Sequence, residues 1–483
     1  MSSKDNIANV NTDDHTDDPE DILECAQLNS VIFHSKLFTL NIMNQQQDRI
    51  SGPTPSYNPS KVVRPHAIEE IVSGPCSDEV KKQLGENLLD SFALIFARPG
   101  SDGVTATAME WDSKNPSRYI LHVARNSGED SLSSYLVSRI QVWFETPHDN
   151  YVDNPDITNE FWQEIVQSCY PNIKKSMFET CYVKLQNVYD KDEYPFEDLR
   201  NLIIDVACTK SDDEIPPQAK GLVYVLDIVY YLSDYDLVWT RESTYFRLGD
   251  LTSIPTKKDL KLIHKLIHIC YELLESYLVP MDDLIHQCRR RCREIGYVDR
   301  KIEYPETFLL RTRRLVHIIA EYRRAWFDMV RFKIDHREAS LQIRIVPLDK
   351  FTVSMKLESI GNEPYRTEVS KIINELEECI AKCLNNQSHS SVDPSTVRRK
   401  PRDLSWQGRI LKIWDHAPFV VHCEMQILEL LLRQGSSKFF NYIGCSKGAC
   451  WLCYHAITMM APEFTRREPH LKLYPRWLMM WDK

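Results

Sequence analysis

Three residues suited to a soft metal and one carboxylate beside them form the most chemically suggestive set in this 483-residue chain. His422 and Glu424 stand in the run Val420-Val421-His422-Cys423-Glu424-Met425, and 25 residues separate Glu424 from Cys450-Trp451-Leu452-Cys453. An H-x-E triplet alone carries little weight, because His336-Arg337-Glu338 repeats it, and one C-x-x-C is unremarkable among fourteen cysteines. The weight lies in the pairing, the spacing, and the placement of each half at the start of an expected helix, on either side of an expected strand. A catalytic zinc ion takes three protein ligands and keeps one position for water; two thiolates and an imidazole neutralise it while leaving it Lewis acidic. Cysteines three apart on a first helical turn put both sulfurs on one face, where the positive end of the helix favours thiolates. Glu424, two residues beyond His422, would sit by the metal without binding it. There it can take a proton from activated water and return it to a ring nitrogen and a departing amine.

Other readings of these residues stand beside this one. Cys445 with His422, Cys450 and Cys453 would close a four-ligand structural site that does no chemistry, leaving a zinc-stabilised scaffold. The carboxylate of Glu424 has no use in such a site. Thiol redox chemistry at Cys450 and Cys453 is a third reading, and it leaves His422 and Glu424 unexplained. Cys423 reads as a small buried hydrophobe and His455 as packing on the cysteine helix. The pairs Cys288/Cys292 and Cys379/Cys383 have i, i+4 spacing without a matching set of partners, so chance is the better account.

The elements that must position these groups follow from hydrophobic periodicity. Leu88 to Ala97 reads as a helix, and Val104 to Trp111 with Tyr119 to Arg125 as a hairpin turning at Asn115-Pro116, followed by Asn126-Ser127-Gly128. Residues 131 to 384 are mainly helical, as in Leu262 to Leu278 and Glu306 to Phe332, and form either an insertion or a separate domain. Within them Leu341 to Leu348 and Phe351 to Leu357 alternate as a second hairpin turning at Asp349-Lys350, and Glu368 to Leu384 is an amphipathic helix. Residues 385 to 403 read as a polar linker with two prolines. Residues 404 to 483 then hold a helix at His422-Cys423-Glu424, a strand Phe439 to Cys445 and a helix opening near Ala449.

Composition sets the outer bounds. Residues 1 to 30 are acidic and polar, which predicts a disordered tail and is too polar for a signal peptide. The longest apolar stretch, Gly221 to Trp239, is broken by Asp227, Asp234 and Asp236, so no membrane span is expected. Scattered cysteines favour reduced thiols, and the protein is expected to be intracellular, cytoplasmic or nuclear, and not secreted. The formal charge is -10, yet residues 391 to 483 hold 14 Lys+Arg against 8 Asp+Glu. A basic C-terminal region suits a phosphate-bearing substrate, and equally a solvated basic face.

His422-Cys423-Glu424, the run Cys445 to Cys453 and Leu473-Tyr474-Pro475-Arg476-Trp477 together resemble the nucleic acid and nucleotide deaminase superfamily, within it the fungus-expanded branch prototyped by an Orientia protein. The resemblance is specific over residues 418 to 483. It implies an α/β chain with a three-layer cytidine-deaminase-like fold at the C-terminus and a large, mainly α-helical N-terminal and middle region. It implies Zn2+ held by His422, Cys450 and Cys453, with Glu424 as the proton shuttle. In that fold a helix and hairpin precede the histidine helix. Residues 84 to 130 supply such elements, and the hairpin Leu341 to Leu357 competes for the same place. Ala449 departs from the proline that many deaminases carry before the first cysteine. The 30 residues after Cys453 leave room for a terminal hairpin. The implied reaction is hydrolytic deamination of a base, cytosine favoured over adenine, in a nucleotide or single-stranded nucleic acid. Asn126 corresponds to an asparagine used near the ribose. Trp451, Tyr474 and Trp477 could stack a base, at least one of them more plausibly serving the core. Lys447, Arg466, Arg467, Lys472 and Arg476 could hold phosphates. Partners of the helical region are not legible.

Overall fold

A computed structural model of the chain describes residues 78–100, 103–111, 115, 117–126, 131–146, 155–181, 195–208, 214–234, 255–294, 304–336, 340–346, 420–467, 469 and 477–478. The acidic tail, the expected strand 351–357, the helix 368–384 and the linker 385–403 lie outside the described residues. The chain divides into two units, one of residues 56–351, 421–471 and 478–483, the other of residues 1–55, 352–420 and 472–477. The second unit contributes only Val420 and Trp477 to the described residues.

In chain order the described elements open with α1 (Asp78–Phe96), β1 (Thr105–Trp111) and β2 (Arg118–Arg125). Seven helices follow: α2 (Ser131–Glu145), α3 (Pro155–Cys181), α4 (Pro195–Ala207), α5 (Pro217–Asp234), α6 (Lys257–Ser276), α7 (Leu278–Glu294) and α8 (Tyr304–Asp335). Then come β3 (Ser340–Ile345), β4 (Val420–Val421), α9 (Cys423–Gln434), β5 (Tyr442–Cys445), α10 (Trp451–Met460), β6 (Thr465–Arg466) and β7 (Trp477–Leu478). Three of the helices begin with proline, whose fixed φ and missing N–H suit a first turn. α6 begins with a capping box in which Thr256 and Asp259 satisfy each other's backbone amides.

The main sheet has the order β3-β2-β1-β5-β6. β1 is antiparallel to β2, with Thr105 opposite Arg125 and Trp111 opposite Tyr119. The intervening turn is closed by Arg118 N–H donating to the Asn115 carbonyl at 2.8 Å. β1 is also antiparallel to β5, pairing Ala106 with Cys445 and Thr107 with Gly444. β3 runs parallel to β2 at the other edge. The strand expected to open a second hairpin at residue 341 is therefore an edge of the same sheet, and β1, whose Ala106 lies 339 residues before its partner Cys445, is the neighbour of β5. β6 pairs parallel with β5, and β7 belongs to a separate two-stranded sheet. Among the described residues Thr465–Arg466 has β5 as its partner and not β7, covering an edge of β5 that would otherwise carry unpaired amides; residues 470–476, where the expected terminal hairpin would turn, lie outside the described residues.

Alternation along β1 and β2 gives the sheet two distinct faces. Met109, Leu121 and Val123 belong to one continuous core with Leu88, Leu89, Phe92 and Phe96 of α1 and with the buried aromatics Trp143, Phe161, Trp162 and Trp326 of the helical region. Each such side chain withdrawn from water stabilises by roughly 1.5–3 kcal/mol. Thr107 points to the α1 side, its hydroxyl donating to the Leu89 carbonyl at 2.8 Å. The intervening residues Ala106 and Ala108, with Ala124 on β2, therefore turn the other way, all fully buried. Their small side chains leave room for α9, which packs on β1 and β2.

Candidate metal centre

α9 begins at the point where the expected histidine motif lies. His422 is its N-cap, and Cys423 and Glu424 form its first turn. Two side chains anchor that end. The Asn126 Oδ1, at the end of β2, accepts from the Cys423 amide at 2.7 Å, satisfying one of the amides a helix leaves open at its start. Gln426 Nε2 donates to the Arg125 carbonyl at 3.0 Å and the Val421 carbonyl at 3.1 Å. The second half of the site lies on the loop from β5 to α10, with Cys450 as N-cap and its sulfur accepting from the Cys453 amide at 3.4 Å. That loop is fixed to β1 by Ser446, whose amide donates to the Thr105 carbonyl (2.9 Å) and whose hydroxyl accepts from the Thr105 amide (3.0 Å).

The two halves meet. His422 Nδ1 lies 3.5 Å from Cys450 Sγ and 3.5 Å from Cys453 Sγ, and the three ligand atoms all fall within 4.8 Å of one another. Tetrahedral zinc with ordinary Zn–S and Zn–N bonds separates sulfur from nitrogen by about 3.6 Å, so the donor set has both the chemistry and the spacing for that ion. Cys450 is buried. Hydrogen bonding to Cys453, opposed by burial and reinforced by His422, draws its thiol down to about 5. Burial disfavours the His422 imidazolium, but Cys450 and Glu424 outweigh it and hold the ring above its ordinary range.

Cys423 and Cys445 have the opposite character. Burial, assisted by the nearby Glu424 carboxylate, pushes both thiols well up, so they stay protonated. Cys445 does not belong to the group of mutually close ligand atoms; its sulfur lies 3.7 Å from the Ile443 carbonyl. Glu424 is only 3 % exposed. Its Oε2 lies 3.4 Å from Cys423 Sγ and 3.8 Å from Cys453 Sγ, at the edge of the donor set and outside it.

The remaining expected residues are distributed unevenly. Lys447 is exposed on the β5–α10 loop, and Trp451 is exposed on the first turn of α10. Arg466 Nη2 donates to the Tyr454 carbonyl at 2.9 Å. His455 packs on the same helix as expected, against Trp451. Lys472, Tyr474 and Arg476 lie outside the described residues, and Trp477 is described only as part of β7. Cys288 and Cys292 are buried on α7, and Cys379 and Cys383 lie outside the described residues.

Asp90 is the residue that sequence reading passed over. On α1, it accepts from the Cys445 amide at 2.9 Å and from the Tyr442 hydroxyl at 2.8 Å, joining α1 to the strand that leads into the cysteine loop. Burial raises its carboxyl to about 6, with Arg467 pulling it back. A lone acid within Leu88-Leu89-Asp90-Ser91-Phe92 is the signal that could have exposed it.

Residues 421–480 match the model of a family described as OTT_1508_deam-like deaminase. This part of the chain is similar to a deaminase-like family. No curated protein and no solved structure matches the chain. The deaminase-like segment contains all three donor residues and Glu424, whereas Asp90, Thr105 and Asn126, which brace it, stand outside the match.

Proposed function

We propose that this protein is a zinc-dependent hydrolytic deaminase of an amino-substituted nucleobase, with His422, Cys450 and Cys453 as ligands and Glu424 as the proton-transfer residue. The observation that carries the reading is the convergence of one imidazole and two thiols with a buried, non-ligating carboxylate at their edge. Zinc bound there would supply the Lewis acidity that makes a water molecule acidic near neutral pH. Glu424 Oε2 would pass one proton of the attacking water to the ring nitrogen as the oxygen bonds to the ring carbon, then carry the second, from the new hydroxyl, to the amine, whose C–N bond breaks to release ammonia. Burial of Glu424 keeps bulk water from competing for the proton. Asn126 holds the start of α9, and with it the angle between His422 and Glu424, and we assign it the ribose contact that the resemblance implies. We read α1, β1 and β2 as the opening elements of the catalytic region, with residues 131–336 as an insertion, because β1 lies beside β5 in the sheet. Cytosine is favoured over adenine by the breadth of cytosine chemistry in the superfamily. Full-length protein loaded with zinc, and its Glu424→Gln variant, should be incubated with cytosine- and adenine-containing nucleotides and oligonucleotides, and base conversion read by mass spectrometry. Conversion by the parent and none by the variant, at equal zinc content, is expected; equal conversion by both would remove Glu424 from the mechanism.

A further inference from the structure

α10 buries Leu452, Cys453, Ala456 and Ile457 and turns Trp451, Thr458 and Met459 outward. Trp451 directly follows a metal-site cysteine, yet it is 41 % exposed. A large aromatic on the first turn of a short helix would ordinarily be drawn into the core. Here it begins a continuous row of flat groups. Its ring centre lies 4.2 Å from that of His455, and His455 lies 5.3 Å from Tyr454, edge to face. The Arg466 guanidinium lies 4.1 Å above the Tyr454 ring and is pinned by the Tyr454 carbonyl and the Thr458 hydroxyl. The row is therefore set in place before any ligand arrives, which removes an ordering cost from binding.

The sequence around the row is mainly cationic. Between Ser446 and Arg467 the chain carries Lys447, Arg466 and Arg467 against the single acid Glu463. Fixed aromatic faces interleaved with cations are the chemistry that binds single-stranded nucleic acid, bases stacking on the rings and phosphates lying by the cations. A free nucleotide brings one base, which the metal centre would take, and so leaves an exposed indole next to that centre without a partner.

We infer that the outward face of α10, led by Trp451, is a stacking platform for a base flanking the reacting one, so that the substrate is a single-stranded polynucleotide. This rests on the deaminase reading for the reacting base, and the platform itself can be tested without turnover. The full-length, zinc-loaded Glu424→Ala protein is titrated with a short fluorescein-labelled single-stranded oligonucleotide, as DNA and as RNA, with cytidine monophosphate as competitor. Trp451→Ala and Trp451→Phe are introduced into the same background, and zinc content and circular dichroism certify their folding. Oligonucleotide binding is expected to be tighter than mononucleotide binding and to weaken with salt. Trp451→Ala should lose roughly 5- to 100-fold in affinity, and Trp451→Phe should retain most of it. Unchanged binding by a folded Trp451→Ala protein, or equal affinity for mononucleotide and oligonucleotide, overturns the inference and leaves the face to a protein partner. Trp451-dependent binding in a protein that converts no base would remove the deaminase reading and leave the platform standing. Conversion of free nucleotides with binding indifferent to Trp451 would do the reverse.

Discussion

Gly444→Ala should be among the most damaging small substitutions in this protein. Gly444 lies in β5 opposite Thr107, where α1 crosses the sheet so closely that an added Cβ would lie 2.4 Å from the Leu89 carbonyl carbon, 2.5 Å from its oxygen and 2.5 Å from Thr107 Oγ1. Ordinary contact begins near 3.4 Å, so α1 and β5 would have to separate by about 1 Å, and the atoms in the way are mostly backbone. Overpacking of this kind costs roughly 1–3 kcal/mol. The same movement strains the Thr107–Leu89 hydrogen bond, another ~1 kcal/mol, and shifts Cys445 away from Asp90. A loss of about 2–4 kcal/mol is expected from urea unfolding of the full chain, with faster release of zinc to a chelator. Gly85→Ala is the matched control, since its Cβ would meet only the ring end of Phe440 at 2.7 Å, a group that can turn aside. If Gly444→Ala cost no more than Gly85→Ala, the close approach of α1 to β5 would be refuted.

Asn126→Ala removes the acceptor for the Cys423 amide and should destabilise by about 1 kcal/mol, whereas Asn126→Asp keeps an acceptor and should lose little by the same assay. Cys445→Ala should retain one zinc per chain by elemental analysis, while Cys450→Ser and Cys453→Ser should retain almost none; loss of zinc in Cys445→Ala would restore the closed four-ligand site. The carboxyl of Asp90 titrates at about 6 in the folded chain against an ordinary 3.8, so the folded state holds its proton more tightly and stability should fall as pH rises from about 4 to about 6. Asp90→Asn should lack that component, which a comparison of urea midpoints across this range would detect; parallel pH curves for the two proteins would contradict the assignment.

The donor residues were legible in the sequence because each half of the site is local. One helix start carries His422 with Glu424, one loop and helix start carries Cys450 with Cys453, and spacing alone tells the chemist what such groups can hold. The early helix and hairpin were legible too, from periodicity and from turn residues at Asn115 and Asn126, although α1 begins at Asp78, ahead of its clearest apolar stretch. Sequence could not rank the cysteines. Cys445 and Cys450 are the same residue type, and only burial beside Glu424 at the first, and hydrogen bonding to Cys453 and His422 at the second, make one a neutral thiol and the other an acidic one. Nor could periodicity pair the strands across the chain: β3 lies parallel to β2, and β6 goes to β5. Strand pairing is decided by which edges remain to be satisfied once the core has formed, and no local pattern encodes that. The bracing of the site has the same origin. Asp90, Thr105 and Asn126 act on residues 355, 341 and 297 positions away, so sequence by itself determined which residues could make a metal centre, and only the folded chain decided what holds them in shape.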